Sequence, residues 1–586
     1  MKNQNIIWFI LDGVRNYHCP NDPEKMGKPP IVDKLALDGI EFLQATTSAT
    51  STIMSVTSMM TAIPAYYLSR NFDDIRVDKS NFESLGSILE THGYNVYNIS
   101  FLSDMRRNYW NTFLRPVNKK YWPKAYKAYE HWSNEPINPI AFSLLDSNEF
   151  KSPFFLYVHY NFRRDISCNE RVEQLLTRLI KENLYDDSII IMNSDHGIPD
   201  SERRDYFKWL DERGLFFNRH DLIMTDDNIC VPLVIKYPGC KAGKKINNIV
   251  GTIDITPTIL DLLDINFGKN QKIGSSFRGE TLIPLINDHN IEHYNQRKIR
   301  TDTRYIAQTD RITSIRGNGY KYINYRDVPG IDSEQFLDLS KDIYENNNLI
   351  ASQEKKYIDK INEYKNEYDF QELDSYTFQL EFLNKKFKKN WASSNINIKD
   401  CNNILVIGSC NYSFMKIIID IIHSYFGKDI RVDIFLERDN PTEYHELNKI
   451  GYTNNIFAHH SFNAEEFRNG YLSTFIHYDL LIIPLTDYKK DFRQSQAKLN
   501  LNEMQIGHPQ EAISSRQIRD YKEIIKIVKL CKPNNKIYID YNMNFYFNPK
   551  LIIIERLIKK MYAKRDIYMS KPLEIFKDIK RLIQQK

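Results

Sequence analysis

Residues 5–13, N-I-I-W-F-I-L-D-G, and residues 188–197, S-I-I-I-M-N-S-D-H-G, decide the fold of this chain. Each stretch is a short apolar run that ends in polar, chemically active side chains. Runs of this length and composition predict strands that are buried on both faces. Sites in parallel α/β sheets lie at the carboxyl ends of the strands, and Asp12 and Asp195 each follow such an end. The two stretches therefore predict an α/β fold with a site at one edge of its sheet.

Apolar runs and amphipathic stretches alternate from residue 5 to about residue 350. The apolar runs predict strands at residues 6–11, 95–99, 154–158, 189–192 and 233–235. The amphipathic stretches predict helices at residues 31–37, 82–91 and 170–182. Strands and helices in alternation imply a mostly parallel sheet with helices on both faces.

The pattern changes at residues 352–400, where Lys, Glu, Tyr, Asn and Phe recur with weak helical spacing. We predict a helical linker there, between a first domain at residues 1–351 and a second domain at residues 401–586. The second domain contains the apolar runs N-I-L-V-I-G-S, R-V-D-I-F-L-E, D-L-L-I-I-P-L and K-I-Y-I-D, and a final helix is predicted near residues 551–561. These runs predict a Rossmann-like α/β domain. Its first turn, G-S-C-N-Y-S, lacks G-x-G-x-x-G, so the signal for a nucleotide is weak.

The composition limits the classes of function. The chain has 79 Lys and Arg against 75 Asp and Glu, a net charge of +4, so no basic field argues for nucleic acid or an anionic membrane. No uncharged apolar stretch approaches the roughly 20 residues of a membrane span. The N-terminal apolar run is too short for a signal peptide and has no small-residue cleavage site. Seven cysteines without a C-x-x-C pair favour reduced thiols, and we expect a cytoplasmic protein.

Asp12, Asp195 and His196 are the candidate metal ligands. Adjacent oxygen and imidazole donors at one strand end can share a divalent ion with a carboxylate from another strand end. Gly197 follows them and lets the chain turn sharply. The alternative for Asp12 is a turn residue that caps the next helix. The agreement between the two strand ends favours the metal site.

Residues 42–62, F-L-Q-A-T-T-S-A-T-S-T-I-M-S-V-T-S-M-M-T-A, place a series of hydroxyls before an amphipathic run. A hydroxyl at a helix N-terminus suits a nucleophile, because the exposed N–H groups and a nearby cation stabilise its alkoxide. The alternative is that these Ser and Thr residues are helix caps, and for most of them that is the better interpretation.

These segments resemble the sulfatase family of the alkaline phosphatase superfamily over roughly residues 5–350. F-I-L-D-G-V-R and P-P-I-V-D-K-L-A-L-D-G-I-E-F resemble the opening pattern of the family. Later motifs follow in the same order as in the family, namely C-V-P-L-V-I-K-Y-P-G, G-T-I-D-I-T-P-T-I-L-D-L-L-D-I, G-S-S-F-R-G-E-T-L-I-P-L-I, R-I-T-S-I-R-G-N-G-Y-K-Y-I-N-Y and Q-F-L-D-L-S-K-D-I-Y-E-N-N-N-L-I. The resemblance implies an alkaline-phosphatase-like sheet and a metal-dependent esterase site.

The resemblance also implies a role for Thr52. Aligning M-M-T-A (59–62) with the corresponding family motif puts Thr52 where sulfatases carry the Cys or Ser that becomes formylglycine. That maturation needs C-x-P-x-R, and this chain has Thr52, Met54 and Val56 at the three positions, so formylglycine cannot form. A Thr here resembles the phosphodiesterases and the phosphoethanolamine or phosphoglycerol transferases of the same superfamily. We therefore expect phosphate-type chemistry through a covalent Thr52 intermediate.

The resemblance further implies a single divalent ion. Sulfatases begin with a pair of acidic residues, whereas Gly13 follows Asp12 here, and the second zinc motif D-x-x-x-H is replaced by H-Y-N-F-R-R-D. We expect one ion bound by Asp12, Thr52, Asp195 and His196. Its oxygen-rich ligands leave Ca, Mg, Mn and Zn open.

Four cationic residues complete the predicted site. His159 and His220 fall near positions where the family binds the anionic oxygens of the substrate or protonates the leaving group. Arg163 and Arg164 can bind a phosphate or sulfate bidentately, as a second metal would. The alternative is two ordinary histidines and two solvated surface arginines.

Three functions follow. The first is a hydrolase or transferase of phosphate-type esters, which in the transferase form would decorate surface-polysaccharide precursors, with a nucleotide-activated donor and a glycan acceptor. The second is a conventional sulfatase. The third is an inactive member of the fold that only binds glycans, and the intact metal ligands argue against it.

Overall fold

The structure is a computed structural model of the 586-residue chain. The chain divides into two compact units, Met1–Tyr376 and Thr377–Lys586. The structure describes residues 3–16, 28–64, 67, 83–100, 134–162, 167–199, 223–266, 278–303, 312–325, 334–392, 401–407, 412–427, 430–435, 456–459, 480–484, 535–539 and 545–546.

An eight-stranded sheet forms the centre of the first unit, in the order β3-β4-β1-β5-β7-β2-β6, with β8 paired to β2. The pairs β3–β4, β4–β1, β1–β5 and β2–β8 are parallel, and the pairs that involve β6 or β7 are antiparallel. The predicted α/β fold with a mostly parallel sheet is confirmed, and all five predicted strands are present. The strands are β1 (Asn5–Asp12), β2 (Ile40–Thr46), β3 (Asn95–Ser100), β4 (Phe154–Asn161), β5 (Ser188–Asn193), β6 (Cys230–Val231), β7 (Leu233–Lys236) and β8 (Lys244–Gly251).

Burial along β1 shows how the sheet is covered. All six side chains of residues 6–11 are fully buried. Successive side chains of a strand point to opposite faces, so both faces of the sheet are covered at β1. β4 and β5 have the same fully buried pattern. The apolar runs of the sequence therefore belong to the interior of the sheet.

The register of the central strands sets where each one ends. Asp12, the last residue of β1, pairs with Asn161 of β4. On the other side of β1, Ile10 pairs with Asn193, the last residue of β5. Asp195 lies two residues beyond Asn193 and so reaches the level of Asp12, which lies two residues beyond Ile10. The two predicted ligands therefore share one edge of the sheet.

The helices predicted at residues 31–37, 82–91 and 170–182 are present as α1 (Pro30–Asp38), α3 (Leu85–Thr91) and α5 (Cys168–Lys181). α3 begins three residues later than predicted because Ser84 and Ser87 form a capping box, in which each hydroxyl accepts from the backbone N–H of the other residue at 3.3 and 2.8 Å. The helices of this part are α1 (Pro30–Asp38), α2 (Thr52–Thr61), α3 (Leu85–Thr91), α4 (Ile137–Leu145), α5 (Cys168–Lys181), α6 (Asp226–Ile229), α7 (Ile255–Leu262), α8 (Ile283–Ile286) and α9 (Ile291–Gln296), with a 3-10 helix at Thr252–Asp254.

A second, antiparallel sheet of four strands follows in the first unit, in the order β12-β11-β10-β9. Its strands are β9 (Ile299–Asp302), β10 (Thr313–Arg316), β11 (Tyr320–Asn324) and β12 (Glu334–Asp338). The long helix α10 (Lys355–Ala392) begins after β12 and lies within the segment predicted as a helical linker. Its first half packs on the small sheet through a buried cluster that contains Ile315, Tyr322, Phe336, Tyr357, Ile361, Tyr364 and Tyr368.

The second unit contains a six-stranded sheet in the order β15-β14-β13-β16-β17-β18, parallel except for the pair β17–β18. The helix predicted near residues 551–561 lies outside the described residues. No helix in the described part of the chain is long and apolar enough to cross a bilayer. The elements of this unit are β13 (Asn403–Ile407), α11 (Tyr412–Phe426), β14 (Arg431–Phe435), β15 (Ile456–His459), β16 (Leu480–Pro484), β17 (Asn535–Ile539) and β18 (Phe545–Tyr546).

Candidate metal centre and nucleophile

Four side chains predicted from the sequence meet at the carboxyl edge of the eight-stranded sheet. Thr52 Oγ1 lies 3.1 Å from Asp12 Oδ2 and 3.2 Å from His196 Nε2. Asp195 Oδ2 lies 3.5 Å from the same imidazole nitrogen. Ligand atoms of Asp12, Asp195 and His196 all lie within 4.8 Å of one another. The structure thus brings together the four residues predicted as ligands, and their role as ligands stays a prediction.

Each of these residues stands at the end of an element. Asp12 ends β1, and Asp195 and His196 follow β5. Thr52 is the first residue of α2, after Ser51 as the N-cap. The first N–H groups of a helix have no partner within it, so this end of α2 favours a negatively charged group beside Thr52.

Two hydroxyls hold the nucleophile segment to the metal ligands. Thr47 Oγ1 and Ser55 Oγ both donate to the backbone carbonyl of Asp195, at 2.7 and 2.6 Å. Thr47 lies in the loop before α2, and Ser55 lies in the first turn of α2 after Thr52. Because residues on both sides of Thr52 bond to the backbone of Asp195, the position of Thr52 relative to Asp195 is fixed.

Ser194 ties the end of β5 to the end of β1. Its Oγ accepts from the backbone N–H of Val14 at 3.0 Å and lies 2.5 Å from the carbonyl oxygen of Leu11. The N–H of Gly13 also donates to Asp195 Oδ1 at 3.3 Å. These contacts fix Asp12 and Asp195 at the same edge of the sheet.

The hydrogen bonds of His196 define its tautomer. Nδ1 lies 2.7 Å from the carbonyl oxygen of Gly197, which can only accept, so Nδ1 carries the proton. In the neutral imidazole, Nε2 then has the lone pair, and it faces Thr52 and Asp195. This nitrogen can bind a metal ion or accept the hydroxyl proton of Thr52.

Two buried carboxylates at this edge of the sheet favour a positive charge beside them. Asp12 is 4% exposed and Asp195 is fully buried. Burial and the neighbouring Asp12 carboxylate raise the pKa of Asp195, and His196 and His159 oppose that effect. Asp195 Oδ2 has no hydrogen-bond partner among the described residues. A buried acceptor of this kind is costly unless a cation satisfies it.

The donor set fits a divalent ion. A tetrahedral ion with ligands at about 2.0 Å keeps its ligand atoms about 3.3 Å apart. The distances from Thr52 Oγ1 to Asp12 and His196, 3.1 and 3.2 Å, are of this size. Three oxygen donors and one nitrogen are compatible with Zn and Mn and also with the harder Mg and Ca, so the identity of the ion stays open.

His159 lies beside Asp12, on the adjacent strand β4. Its Nε2 is 3.6 Å from Asp12 Oδ2, and its Nδ1 is 3.1 Å from the hydroxyl of Tyr157. Burial, together with Asp195 and Asp12, raises the pKa of Tyr157 well above its ordinary value, so the phenol keeps its proton. A phenol that donates to Nδ1 directs the N–H of His159 towards Asp12. This contact adds electrostatic support of Asp12 to the two roles predicted for His159.

Not every predicted residue can be placed. His220, Arg163 and Arg164 lie outside the described residues, and their roles stay predictions. Sequence reasoning missed Tyr157 and Ser194, and it grouped Thr47 and Ser55 with the helix caps. The clearest signal for Tyr157 was its spacing two residues from His159, which puts both side chains on the same face of β4.

The sheet, with two carboxylates and a histidine at its edge and a hydroxyl at a helix N-terminus, defines a protein of the alkaline phosphatase-like class. Residues 4–161 match the family model described as Sulfatase, and residues 211–369 match the one described as N-sulphoglucosamine sulphohydrolase, C-terminal. The chain therefore belongs to the sulfatase family of the alkaline phosphatase-like superfamily.

Individual relatives match over parts of the chain. Human Arylsulfatase K is 29% identical over 174 residues, which are 29% of this chain and 29% of that protein. The Choline-sulfatase of Rhizobium meliloti is 27% identical over 31% of this chain and 30% of its own length. The Ulvan-active sulfatase of Formosa agariphila is 22% identical over 61% of this chain and 78% of its own length. The chain thus spans about three tenths of the length of the first two relatives.

Solved structures are similar to this chain at low sequence identity. The phosphonate monoester hydrolase of Agrobacterium radiobacter is 15% identical with a TM-score of 0.49, and the match covers 64% of this chain and 96% of that one. A 2-O GAG sulfatase is 15% identical with a TM-score of 0.49, over 68% of this chain and 95% of that one.

Proposed function

We propose that this chain is a metal-dependent ester hydrolase that acts on phosphate-type esters through a covalent intermediate on Thr52. One observation carries the proposal: Thr52 Oγ1 lies within 3.2 Å of both Asp12 Oδ2 and His196 Nε2. Both atoms can accept the hydroxyl proton, and a nucleophile within hydrogen-bond reach of a base is the arrangement that covalent catalysis requires.

Asp12, Asp195 and His196, with Thr52, would hold the divalent ion. When bound, this ion lowers the pKa of a coordinated hydroxyl and balances negative charge at the reacting ester. Asp12 and Asp195 supply the charge that retains the cation. His196 is kept in the tautomer that binds metal by its hydrogen bond to the Gly197 carbonyl.

Each step of the reaction is assigned to a residue of the site. Thr52 gives its hydroxyl proton to the Asp12 carboxylate 3.1 Å away, and its Oγ1 forms a bond to phosphorus while the bond from phosphorus to the ester oxygen breaks. The leaving oxygen takes a proton from His220 or His159, and Arg163 and Arg164 bind the remaining anionic oxygens. Water then attacks phosphorus and gives a proton to that histidine, while the bond from phosphorus to Thr52 Oγ1 breaks and Asp12 returns the proton to Thr52.

The nucleophile favours phosphate-type over sulfate esters. Thr52, Met54 and Val56 occupy the positions of C-x-P-x-R, so the formylglycine of sulfatases has no precursor in this chain. Sulfate ester hydrolysis is the second candidate, because the relatives are named arylsulfatase and choline-sulfatase. In both cases the substrate is an anionic ester.

A transferase differs from this hydrolase only in its acceptor. An acceptor hydroxyl, for example from a glycan, would replace water in the second step. The parallel sheet of the second unit is the place where we would look for a nucleotide-activated donor or the glycan. The inactive glycan-binding alternative does not explain why two buried carboxylates, a histidine and a hydroxyl converge.

The test compares aryl phosphate, phosphodiester and aryl sulfate turnover in the wild type, Thr52→Ala and Thr61→Ala, each after chelation and re-addition of Mn²⁺, Mg²⁺, Ca²⁺ or Zn²⁺. Thr61 lies at the far end of α2, where its hydroxyl donates to the carbonyl of Thr57 at 2.8 Å, so Thr61→Ala controls for the loss of a hydroxyl from this helix.

We expect the wild type to turn over a phosphate-type ester when metal is restored. Thr52→Ala should lower this turnover by roughly 10³-fold or more, whereas Thr61→Ala should stay within a few-fold of wild type. Turnover that survives the loss of Thr52 or of metal would overturn the mechanism. Turnover of the sulfate ester alone would make the second candidate correct.

A further inference from the structure

Three consecutive backbone carbonyls contact the three loops that form the candidate site. The carbonyl of Asn228 accepts from the N–H of Gly197 at 2.7 Å, next to His196. The carbonyl of Ile229 accepts from Thr47 at 2.9 Å, in the loop that leads to α2. The carbonyl of Cys230 accepts from Asn16 at 2.9 Å, in the loop that follows Asp12. We call residues 226–230 the clamp segment.

The clamp segment is closely packed against the site. Asn228 and Ile229 are fully buried. A side-chain carbon added to Gly197 would lie 2.1 Å from the carbonyl oxygen of Asp227, so no larger residue fits between His196 and the clamp segment without displacement. A shift of the clamp segment must therefore move all three loops.

Asp226 fixes the clamp segment to the small antiparallel sheet. Its carboxylate accepts from Arg316 Nε at 3.0 Å and Nη2 at 2.9 Å, and from Lys321 Nζ at 2.6 Å. Its backbone N–H donates to Glu345 Oε1 at 2.7 Å. Lys321 also contacts Glu345 Oε2 at 2.9 Å and is fully buried. Both the side chain and the main chain of Asp226 are therefore held.

We propose that Asp226 and Arg316 are positioning residues for the metal site, which act through the clamp segment on the loops of Asp12, Thr52 and His196. The inference rests on the proposed function for the metal ion that this site would bind. The small sheet then has a part in the chemistry, although none of its described residues is among the metal ligands. Small displacements matter because ligands must be held to fractions of an ångström.

The test measures backbone hydrogen exchange by mass spectrometry and Mn²⁺ affinity by calorimetry, on full-length wild type, Asp226→Asn, Arg316→Lys and Leu179→Ala. Peptides that cover Gly197, Thr47 and Asn16 report on the three clamped N–H groups. Leu179 is a fully buried residue of α5, so Leu179→Ala controls for general loss of stability in the same unit.

We expect Asp226→Asn to increase exchange in all three peptides and to weaken Mn²⁺ binding at least tenfold, with Leu179→Ala doing neither. Arg316→Lys keeps the charge and loses the two-pronged contact, so an intermediate effect is expected, and it serves as the test if Asp226→Asn does not fold. If Mn²⁺ affinity and hydrogen exchange in Asp226→Asn and Arg316→Lys equal those in Leu179→Ala, the proposal is overturned.

The two proposals fail differently. Turnover that does not depend on Thr52 contradicts the proposed function but leaves the exchange result standing. Normal exchange and metal affinity in Asp226→Asn, in a protein whose turnover depends on Thr52, contradicts only the role of the clamp segment. If wild type binds no Mn²⁺, the exchange of the three peptides alone decides the role of Asp226.

Discussion

Nε2 of His196 lies 3.2 Å from Oγ1 of Thr52, although 144 residues separate them in the chain. The contact joins the loop after β5 to the first turn of α2. The contact forms because the hydroxyls of Thr47 and Ser55 both donate to the backbone carbonyl of Asp195 and so hold the start of α2 against the loop after β5. The metal ligands and the nucleophile are therefore parts of one hydrogen-bonded unit, and substitutions in this unit have distinct expected effects.

Asp195→Asn should change stability in opposite directions with and without metal. Without metal, the substitution removes one of two neighbouring buried negative charges, so the metal-free variant should be more stable than the metal-free wild type. A saturating ion should stabilise wild type by about 2.7 kcal/mol at about 100 times its Kd, and the variant by far less. Thermal unfolding with chelator and with Mn²⁺ measures both effects. Equal metal-dependent shifts in the two proteins would contradict Asp195 as a ligand.

Tyr157→Phe should slow turnover and should weaken metal binding at most to a similar extent. The substitution removes the hydroxyl that contacts His159 Nδ1 at 3.1 Å, and the loss of one hydrogen bond of about 1 kcal/mol corresponds to a fall in kcat of roughly fivefold. Tyr160→Phe is the matched control, since the Tyr160 hydroxyl on the same strand donates to Asn138 at 2.6 Å. Steady-state kinetics and metal titration of both variants check this, and equal kcat values for the two would remove the role of Tyr157.

Gly197→Ala should disturb both stability and metal binding. The added carbon would lie 2.1 Å from the carbonyl oxygen of Asp227, and the overlap must be relieved by moving the backbone next to His196. We expect a loss of about 1–3 kcal/mol in the free energy of unfolding and weaker metal binding. Gly251→Ala is the comparison, because its added carbon would meet only side chains, those of Ile253, Ile299 and Asp254 at 3.2, 3.5 and 3.6 Å. Urea titration and calorimetry of the two variants make the measurement.

Asp226 should make the first unit sensitive to acid. Burial alone would raise its pKa, but the charges of Arg316 and Lys321 outweigh that effect and hold the pKa well below the ordinary value. A carboxylate with a lowered folded-state pKa adds stability above about pH 4, and this stability is lost as the pH falls further, because the unfolded chain takes up the proton first.

Urea midpoints at several values between pH 7 and pH 3 test this expectation. The loss of stability towards pH 3 should be smaller in Asp226→Asn than in wild type. Asp288→Asn is the control, because the Asp288 carboxylate contacts Lys244 at the exposed surface, where ion pairs contribute little. An acid response of Asp226→Asn identical to that of wild type would show that this carboxylate does not couple folding to pH.

Much of the site could be predicted because its residues stand beside elements with strong local patterns. The fully apolar runs of β1 and β5 marked Asp12, Asp195 and His196 as strand-end residues, and the structure places them there. Thr52 was found through the family motif and stands at the start of α2. Boundaries were less accurate where a local hydrogen bond decides them, as at Ser84 before α3.

The sequence by itself determined the α/β architecture and the chemical types at the strand ends, because burial on both faces of a strand and helical periodicity are local properties of the chain. Only the tertiary structure decided which residues meet. The register of β1 with β5 brings Asp12 level with Asp195, and the carbonyls of residues 228–230 tie Gly197, Thr47 and Asn16 together. Backbone carbonyls are the same in every residue, so their contacts leave no pattern in the sequence.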